Sequence, residues 1–437
     1  MRAHVHYTEQ LSGRLNPPSS KNYTTRYLLV AALAEGESVV HYPARSDDAD
    51  ALVRCLRDLG AGIEEQVDAD GGRHLTVRGF GRRPANPGVI DAGNAGAVVR
   101  FLMGIGALLP EITFQTRFAE SLGQRPHGDL LAALEQLGAE TASNDGRLPV
   151  TVRGGALHGG AVQVSGARSS QFLSALLFLA PLVGEEVCIE VVGGLVSQPL
   201  IRTTLEVLDQ AGIEVEATGD LLSFRVAGGQ SYAPGEYSVN GDYPSSAAIL
   251  AAGAVTGSAI AVDRLFEDRQ GERAVIDLLG RMGVPVEYDG RQVRLAPHEG
   301  LRAAEFDGDL ATDMVLAMLP VAALAEGESR FHGIGNLRLK ECDRIAVPVQ
   351  LLRQLGVDCD EGASEITVRG RPKAYEGGLS LPTHHDHRVA QMLALMGLRC
   401  RRGLTIENAD TVAKSYPDFF ADLIGLGAHI DLEEDDS

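Results

Sequence analysis

The sequence predicts an α/β protein built from six copies of one structural unit. In each copy an apolar, helix-like run is followed by a short strand, and an amphipathic helix then ends in a glycine. These glycines recur every 71 to 78 residues, at Gly60, Gly138, Gly212, Gly283, Gly356 and Gly427. Self-similarity at a fixed period indicates one supersecondary unit that packs against its own copies. The alternation of helices with strands places the fold in the α/β class.

Within a copy, the elements are predicted in the order helix, strand, helix, strand, strand. A β-branched strand such as 38–41 follows the first helix. The second helix has leucines at i, i+3 and i+4, as in 129–137, and paired strands such as 75–78 and 366–369 close the unit. The first helices are apolar and are predicted over residues 26–34, 98–109, 171–183, 246–255, 314–325 and 388–398.

The two ends of the chain predict how the copies are divided between domains. The sixth copy stops after Ile430 without a closing strand, whereas residues 3–15 precede the first copy and are partly strand-like. We therefore expect residues 3–15 to complete the sixth copy. Residues 1–18 and 241–437 would then form one domain with copies four to six, and residues 19–240 would form the other domain with copies one to three. The two linkers are expected near 17–20 and 240–244, where proline or glycine occurs.

Composition excludes several classes of protein. A chain of 437 residues is expected to form two or more domains. It has no apolar run long enough to cross a bilayer and no signal-peptide core, so no membrane partner is expected. Its five scattered cysteines indicate reduced thiols and a cytoplasmic location. The net charge of −20 argues against a nucleic-acid partner, so an anionic ligand needs a local cationic site.

The first helix of each copy begins with residues that favour anion binding. Serine, asparagine, glycine or aspartate stands at each start. Such residues are common N-caps, so capping alone is one interpretation. Cations near a helix N-terminus are unfavourable unless an anion lies between them, and this favours a binding site. The basic residues concerned are Lys21, Arg26, Arg100, Arg125, Lys340, Arg344, Arg388 and Lys414.

Several of these segments, in this order and spacing, resemble the enolpyruvyl transferase family, and within it the branch that acts on shikimate 3-phosphate. The resemblance covers nearly the whole chain. It implies two lobes, each an inverse α/β barrel of three βαβαββ units, that close like a clamp. The segments are Ser20-Lys21, Gly93-Asn94-Ala95-Gly96, Arg125-Pro126, Ser169-Ser170-Gln171, residues 336–344, Asp386-His387-Arg388 and residues 413–419.

The resemblance implies a reaction of two anionic substrates. The enolpyruvyl group of phosphoenolpyruvate is transferred to the 5-hydroxyl of shikimate 3-phosphate through a tetrahedral intermediate, and phosphate is released. This is a step towards chorismate and the aromatic amino acids, and glyphosate inhibits it. The resemblance implies no metal and no organic cofactor, and we expect a monomer.

The resemblance also implies roles for individual residues. Asp313 would take the hydroxyl proton, and Glu341 or Lys21 would handle the methylene proton. Lys21, Asp313, Glu341 and Lys414 would be catalytic. The predicted phosphoenolpyruvate ligands are Lys21, Asn94, Gly96, Arg125, Gln171, Arg344, Arg388 and Lys414. The predicted shikimate 3-phosphate ligands are Lys21, Asn22, Arg26, Ser169, Ser170, Gln171, Ser197, Asp313, Asn336 and Lys340.

Three alternatives stay open at this point. Asn22 stands where the shikimate branch usually has serine or threonine, and Lys-Asn is typical of the sister enzyme that acts on a UDP-sugar. Enolpyruvyl transfer to a UDP-sugar or nucleoside is therefore one alternative, although the loop 121–125 lacks that enzyme's usual cysteine or aspartate. A non-catalytic anion-binding scaffold is the second. A metal site at 384–387 is the third, and it is disfavoured because adjacent ligands on a tight turn chelate one ion poorly.

Overall fold

A computed structural model describes residues 1–68 and 72–434 of the chain. The chain divides into two compact units. Unit 1 comprises Met1–Pro18 and Gly241–Ser437, and unit 2 comprises Ser19–Asn240. Each unit has its own hydrophobic core. In the part of the chain that is described, no helix combines the length and apolarity needed to cross a membrane.

Twelve α-helices are found in the described residues. Those of unit 2 are α1 (Lys21–Leu33), α2 (Asp47–Asp58), α3 (Gly96–Gly106), α4 (Gly128–Gln136), α5 (Ser170–Leu179) and α6 (Gln198–Gln210). Those of unit 1 are α7 (Tyr243–Thr256), α8 (Val275–Arg281), α9 (Val315–Leu324), α10 (Ala346–Gln354), α11 (His387–Gly397) and α12 (Phe419–Gly425).

The strands of the described residues alternate with these helices. In chain order they are β1 (Arg2–Val5), β2 (Ser12–Leu15), β3 (Glu37–His41), β4 (Gly62–Val67), β5 (Arg73–Arg78), β6 (Val89–Asp91), β7 (Ile112–Gln115), β8 (Glu140–Asn144), β9 (Arg147–Arg153), β10 (Gly160–Gly166), β11 (Val187–Leu195), β12 (Glu216–Ala217) and β13 (Ser223–Val226). They continue with β14 (Glu236–Ser238), β15 (Ala259–Val262), β16 (Val286–Tyr288), β17 (Val293–Leu295), β18 (Leu301–Arg302), β19 (Glu305–Asp307), β20 (Ala325–His332), β21 (Asp358–Glu361), β22 (Ile366–Gly370), β23 (Leu379–Pro382), β24 (Leu404–Glu407) and β25 (Ile430–Glu433).

The second copy shows the pattern of a single unit. Its sheet has the order β6-β7-β9-β8, in which β6 and β7 are parallel and β9 is antiparallel to both of its neighbours. Helix α3 joins the parallel pair, and α4 leads into the β8–β9 hairpin. The βαβαββ unit implied by the resemblance is confirmed. The predicted element order lacked its leading strand, which is only three residues long in β6.

The N-terminal segment lies where the sequence predicted it. Strand β1 occupies the third position of the sheet β23-β24-β1-β25, so it completes the sixth copy. The expectation that no strand follows Ile430 is wrong, because β25 begins there and pairs with β1. Strand β2 precedes copy one but pairs with β15 of copy four, in unit 1. Strand β14 precedes copy four but pairs with β3 of copy one, in unit 2. Copies one and four therefore exchange their leading strands.

The first helices of the copies form the cores. Every residue of α7 and of α9 is buried, as are all residues of α11. Burial on all sides explains why these runs are apolar without a polar face. In unit 2, α3 and α5 approach so closely that a Cβ on Gly104 would lie 2.8 Å from the carbonyl oxygen of Ala175. The second helices are amphipathic because they lie between the core and solvent, as the sixfold leucine pattern predicts.

The six recurring glycines all have left-handed backbone, with φ between +75° and +101°. Each follows a second helix and closes it with backbone hydrogen bonds, as when Gly212 N–H donates to Asp209 and Ile213 N–H donates to Leu208. Only glycine adopts this cap without a steric penalty. The period in the sequence is therefore the period of one helix cap.

We expect Gly212→Ala to lower the free energy of unfolding by about 1 kcal/mol, because alanine is strained at positive φ. Gly138→Ala is expected to cost more, since its Cβ would lie 2.4 Å from the carbonyl oxygen of Ala156, whereas a Cβ on Gly212 meets only the Cβ of Ala233 at 3.4 Å. Urea unfolding of the two variants measures both costs. A stabilised Gly212→Ala variant would contradict the left-handed cap.

Candidate active site

Unit 2 carries one set of predicted ligands, at the starts of α1, α3 and α5. Ser169 caps α5, and its Oγ accepts the N–H of Gln171 at 3.3 Å. The residues before α1 and α3, Ser20 and Ala95, make no side-chain cap hydrogen bond. Neither helix start is capped by the side chain of its own N-cap residue, which suits an incoming anion.

Arg100 links the starts of α3 and α5. Its Nη1 donates to Gln171 Oε1 at 2.7 Å and to Ser169 Oγ at 3.3 Å. Its guanidinium lies over the ring of Phe172, 4.9 Å from the centroid. Burial, together with the positive charge of Arg125, lowers the pKa of Arg100 to about 10. Arg100, one of the basic residues named from the sequence, thus contacts the predicted ligands Ser169 and Gln171 and orients both.

Arg26 is more deeply buried than its predicted role as a carboxylate ligand implies. It is 1% exposed, and its guanidinium donates to Thr204 Oγ1, to the Asn22 carbonyl and to the Leu200 carbonyl. Burial lowers its pKa to about 10. Three of the five N–H groups of a guanidinium are thus engaged in holding α1 against α6, which leaves two for a ligand.

Three arginines at the predicted site of unit 2 have no carboxylate partner among the described residues, although other arginines of this unit do, such as Arg78 with Glu37. Within residues 1–68 and 72–434, no carboxylate lies within ion-pair distance of Arg26, Arg100 or Arg125, whereas Lys21 Nζ lies 3.5 Å from Asp48. Elsewhere in the chain, even exposed arginines such as Arg330 are paired with carboxylates. A buried guanidinium without a counter-charge is costly, so an anionic ligand would be stabilised here.

The other predicted residues of unit 2 lie at the same helix starts. Asn94 is exposed just before α3, and Gly96 is its first residue. Arg125 is exposed, and its Nη1 lies 3.0 Å from the position that a Cβ on Gly96 would take. Ser170 is buried at the start of α5. Ser197 precedes α6 with left-handed backbone at φ 55° and no cap hydrogen bond, and such strain is common at functional sites.

Unit 1 carries the second set, centred on the buried guanidinium of Arg344. Its Nε donates to Asp386 Oδ2 at 2.7 Å, its Nη1 to Asp313 Oδ1 at 3.1 Å, and its Nη2 to Glu341 Oε2 at 2.8 Å. Burial works to lower the pKa of Arg344, but Asp313, Glu341 and Asp386 outweigh it and raise the pKa. Arg344, a predicted phosphoenolpyruvate ligand, is instead occupied by carboxylates in this structure.

Two predicted catalytic carboxylates each lie between two cations. Asp313 lies between Arg344 and Lys340, whose Nζ is 4.0 Å away. Glu341 lies between Arg344 and Lys414, whose Nζ donates to Oε1 at 2.6 Å. Burial works to raise both pKa values, but the surrounding positive charges outweigh it and hold them well below the ordinary range. Both side chains are therefore ionised at neutral pH.

The remaining predicted residues of unit 1 surround this network. Arg388 begins α11, and its Nη1 donates to the Pro244 carbonyl at 2.9 Å and to Gln391 Oε1 at 3.1 Å. It is buried, and the described residues provide no carboxylate within ion-pair distance of it. Asn336 lies in the short turn Gly335–Leu339, and its Oδ1 is buried without a hydrogen-bond partner in the described structure.

Two residues that received no role from the sequence lie beside the predicted ones in the structure. Asp386 is fully buried and pairs with Arg344, but in the sequence it resembles an ordinary N-cap, which it also is for α11. His127 is fully buried, and neither ring nitrogen has a partner among the described residues. Burial and the charges of Arg100 and Arg125 lower the pKa of His127 to about 3, so it is neutral. Its position directly after Arg125-Pro126 was the available signal.

The histidine cluster at 384–387, which the sequence offered as a possible metal site, lies in a tight turn before α11. His384 and His385 have left-handed φ values of 51° and 58° in the turn before α11. Across the described part of the chain, no group of three or more histidine, cysteine, aspartate or glutamate side chains is placed to share a metal ion. His387 begins α11 and lies against Asp386, with Nδ1 3.8 Å from Oδ1.

Comparisons with known proteins cover nearly the full length. The family model for EPSP synthase (3-phosphoshikimate 1-carboxyvinyltransferase) matches residues 5–423. A 3-phosphoshikimate 1-carboxyvinyltransferase of Deinococcus radiodurans is 45% identical over 431 residues, covering 98% of this chain and 97% of the relative. One from Burkholderia pseudomallei is 35% identical over 430 residues, covering 98% and 94%.

A solved structure of EPSP synthase from Acinetobacter baumannii matches with a TM-score of 0.85 and 25% identity, covering 99% of both chains. The relatives match over nearly the full length of the chain, and the family model spans both units, so both comparisons point to the same assignment. The chain therefore belongs to the EPSP synthase (3-phosphoshikimate 1-carboxyvinyltransferase) family.

Proposed function

We propose that the protein transfers the enolpyruvyl group of phosphoenolpyruvate to the 5-hydroxyl of shikimate 3-phosphate and releases phosphate. The relatives named for this activity support the proposal over the full chain. The observation that carries it is the set of buried arginines without carboxylate partners in unit 2, because the two substrates bring two phosphates and two carboxylates. A UDP-sugar acceptor has no comparable support in the family match.

The proposal assigns anion binding mainly to unit 2. Ser169, Ser170 and Ser197 would hold the phosphate of shikimate 3-phosphate, and the two remaining N–H groups of Arg26 would meet its carboxylate. Asn22 and Gln171 would contact its hydroxyls. Phosphoenolpyruvate would bind to the uncapped start of α3, at Asn94 and Gly96, with Arg125 and Lys21 supplying full charges. The proposed ligands in unit 1 are Lys340, Asn336, Arg388 and Lys414.

Proton transfer is assigned mainly to unit 1. As the oxygen–C2 bond forms, the hydroxyl proton passes to Asp313 and a proton is added at C3, which gives the tetrahedral intermediate. Because Glu341 is ionised and hydrogen-bonded to Lys414, the proton for C3 comes from the Lys414 ammonium, directly or through Glu341. Loss of phosphate from C2 then returns the C3 proton to this pair and restores the double bond. The hydroxyl proton held by Asp313 passes to the departing phosphate, which restores the free base.

Substrate charge would also tune the two carboxylates. In the free protein, surrounding cations make Asp313 and Glu341 weak bases. Substrate phosphates and carboxylates would neutralise Lys340, Arg388 and Lys414, and the pKa of each acid would then rise towards its ordinary value. The acids would therefore accept protons readily only after both substrates have bound, which protects phosphoenolpyruvate from unproductive hydrolysis.

We also infer that the enzyme acts in the cytoplasm as a monomer. All five cysteines, Cys55, Cys188, Cys342, Cys359 and Cys400, are free thiols, as in proteins of reducing compartments. Both sets of proposed ligands belong to one chain, so no second copy is needed to supply a residue.

The acceptor is tested by calorimetry with shikimate 3-phosphate and with UDP-N-acetylglucosamine, followed by phosphate release from phosphoenolpyruvate with each acceptor. We expect binding and phosphate release with shikimate 3-phosphate, and neither with the UDP-sugar. Preference for the UDP-sugar would overturn the acceptor assignment. Binding of shikimate 3-phosphate without any phosphate release would favour a non-catalytic scaffold.

The Gly96→Ala variant tests the proposed phosphoenolpyruvate ligands. Its Cβ would lie 3.0 Å from Arg125 Nη1 and 3.7 Å from Leu122 Cδ1, so Arg125 must move. We expect the KM for phosphoenolpyruvate to rise about tenfold, with a small change in kcat, because a binding contact is displaced. The matched control is Gly128→Ala, at the start of α4, where a Cβ meets nothing within 4 Å. Equal KM values for the two variants would remove Gly96 and Arg125 from the site.

A further inference from the structure

A second carboxyl group, that of Glu272, contacts the backbone of Asp313. Glu272 belongs to the short turn Gly271–Ala274, and its Oε1 accepts the backbone N–H of Asp313 at 3.3 Å. This contact joins the turn before α8 to the turn before α9. Glu272 is not among the residues that the sequence or the family resemblance assigned to the site.

Glu272 faces more negative than positive charge. Asp313 faces it from the turn before α9, Asp242 from the start of α7, and Arg388 from the start of α11. Asp242 Oδ2 already accepts from the N–H and the Oγ of Ser245, and Arg388 Nη1 already donates to the Pro244 carbonyl. In the described structure, no lysine, arginine or histidine lies within ion-pair distance of Glu272.

These surroundings favour the neutral form of Glu272. Burial, with the charges of Asp313 and Asp242, raises its pKa to about 8, although a backbone hydrogen bond and the charge of Arg388 work in the opposite direction. At neutral pH Glu272 is thus a carboxylic acid, while its neighbour Asp313 is an anion. When the surroundings of two neighbouring carboxyl groups push their pKa values apart, one group stays protonated and the other acts as a base.

We propose that Glu272 is a positioning residue for the reaction: in its neutral form it holds the Asp313 segment and leaves Asp313 as the base, and its ionisation weakens binding of the anionic acceptor. The proposal rests on the proposed role of Asp313. Ionised Glu272 places a second negative charge beside Asp313, and this charge repels an acceptor that already carries a phosphate and a carboxylate. The KM for shikimate 3-phosphate then rises with pH above about 8, whereas kcat changes less.

The test is the pH dependence of kcat/KM for shikimate 3-phosphate between pH 6 and pH 10. For the unmodified enzyme we expect kcat/KM at pH 7 to exceed that at pH 9.5 by about 30-fold, and for Glu272→Gln by less than about threefold. Glu272→Asp should keep the alkaline decline because it keeps a carboxyl group. Glu267→Gln is the matched control, since Glu267 is exposed and, among the described residues, its carboxylate pairs with Arg273 at 3.6 Å. An unaltered alkaline decline in Glu272→Gln would overturn the proposal.

A second measurement does not depend on catalysis. The folded state holds the Glu272 proton more tightly than the unfolded chain, so its stabilising contribution is complete below the ordinary glutamate pKa and is lost as the pH rises through about 8. The melting temperature of Glu272→Gln minus that of the unmodified protein should therefore increase between pH 6 and pH 9. A constant difference would overturn the proposal. If the unmodified protein failed to use shikimate 3-phosphate, the proposed function would fail while this measurement still decided the protonation of Glu272.

Discussion

Replacing Asp313 with asparagine is expected to lower kcat for phosphate release by roughly 100- to 10,000-fold, the range for loss of a general base. The amide keeps an oxygen that can accept the Arg344 N–H, now 3.1 Å from Oδ1, so the local structure should survive. The amide cannot take the hydroxyl proton of the acceptor. The loss should therefore appear in kcat, whereas binding of shikimate 3-phosphate in calorimetry should persist.

Asp309→Asn is the matched control for this prediction. Asp309 precedes Asp313 in the same segment and is exposed, and its backbone N–H donates to Asp307 Oδ1 at 3.1 Å. Its kcat should stay within about twofold of the unmodified enzyme, because surface substitutions away from a site have small effects. If Asp313→Asn and Asp309→Asn had similar kcat values, the proton acceptor would have to be sought elsewhere, with Glu341 as the next candidate.

The fold was predictable because one local rule recurs. Six glycines at positive φ mark six helix caps, and six apolar runs mark helices that are buried on all sides. Element boundaries were less predictable. Helix α1 begins at Lys21 rather than at residue 26, because Tyr23, Thr24 and Thr25 are buried by tertiary contacts that no local pattern reveals. Strand β25 was missed because only Ile430 of its residues is buried.

The sequence predicted which residues belong to the candidate site, but not which of them form ion pairs and hydrogen bonds with one another. The family resemblance gave roles to Asp313, Glu341 and Arg344, the last two within the segment 336–344. That Arg344 holds both acids and Asp386 together depends on distances between segments 31 to 42 residues apart in sequence. Glu272 lacks any motif, and its hydrogen bond to the Asp313 N–H arises only when the turns before α8 and α9 meet. Charge pairing inside a core is a tertiary property.

Arg344→Met is expected to be the most destabilising of the proposed changes. Arg344 is 2% exposed, and its removal leaves three carboxylates together, of which Asp386 has no exposure at all. Breaking a buried ion pair in this way costs about 3–5 kcal/mol in the free energy of unfolding. Chemical denaturation at pH 7 measures it. Arg330→Met is the control, because Arg330 pairs with Glu305 and Glu365 on the surface, where ion pairs contribute little.

The pH dependence of that cost has a definite sign. Asp313 and Glu341 have folded-state pKa values below their ordinary values of 3.8 and 4.5, so they stabilise the fold above those values and lose this contribution as the pH falls. Arg344 supplies part of this contribution, since it is the strongest of the charges that lower the pKa of Glu341 and ranks after Lys340 and Arg388 for Asp313. The stability difference between Arg344→Met and the unmodified protein should therefore be largest above about pH 5 and narrow towards pH 3. A difference independent of pH would indicate that lost packing around the guanidinium, rather than lost charge pairing, destabilises the variant.

The double variant Arg344→Met/Asp386→Leu separates the two causes further. It removes the buried Asp386 carboxylate that Arg344→Met leaves without its arginine, and it should recover part of the stability if charge pairing dominates.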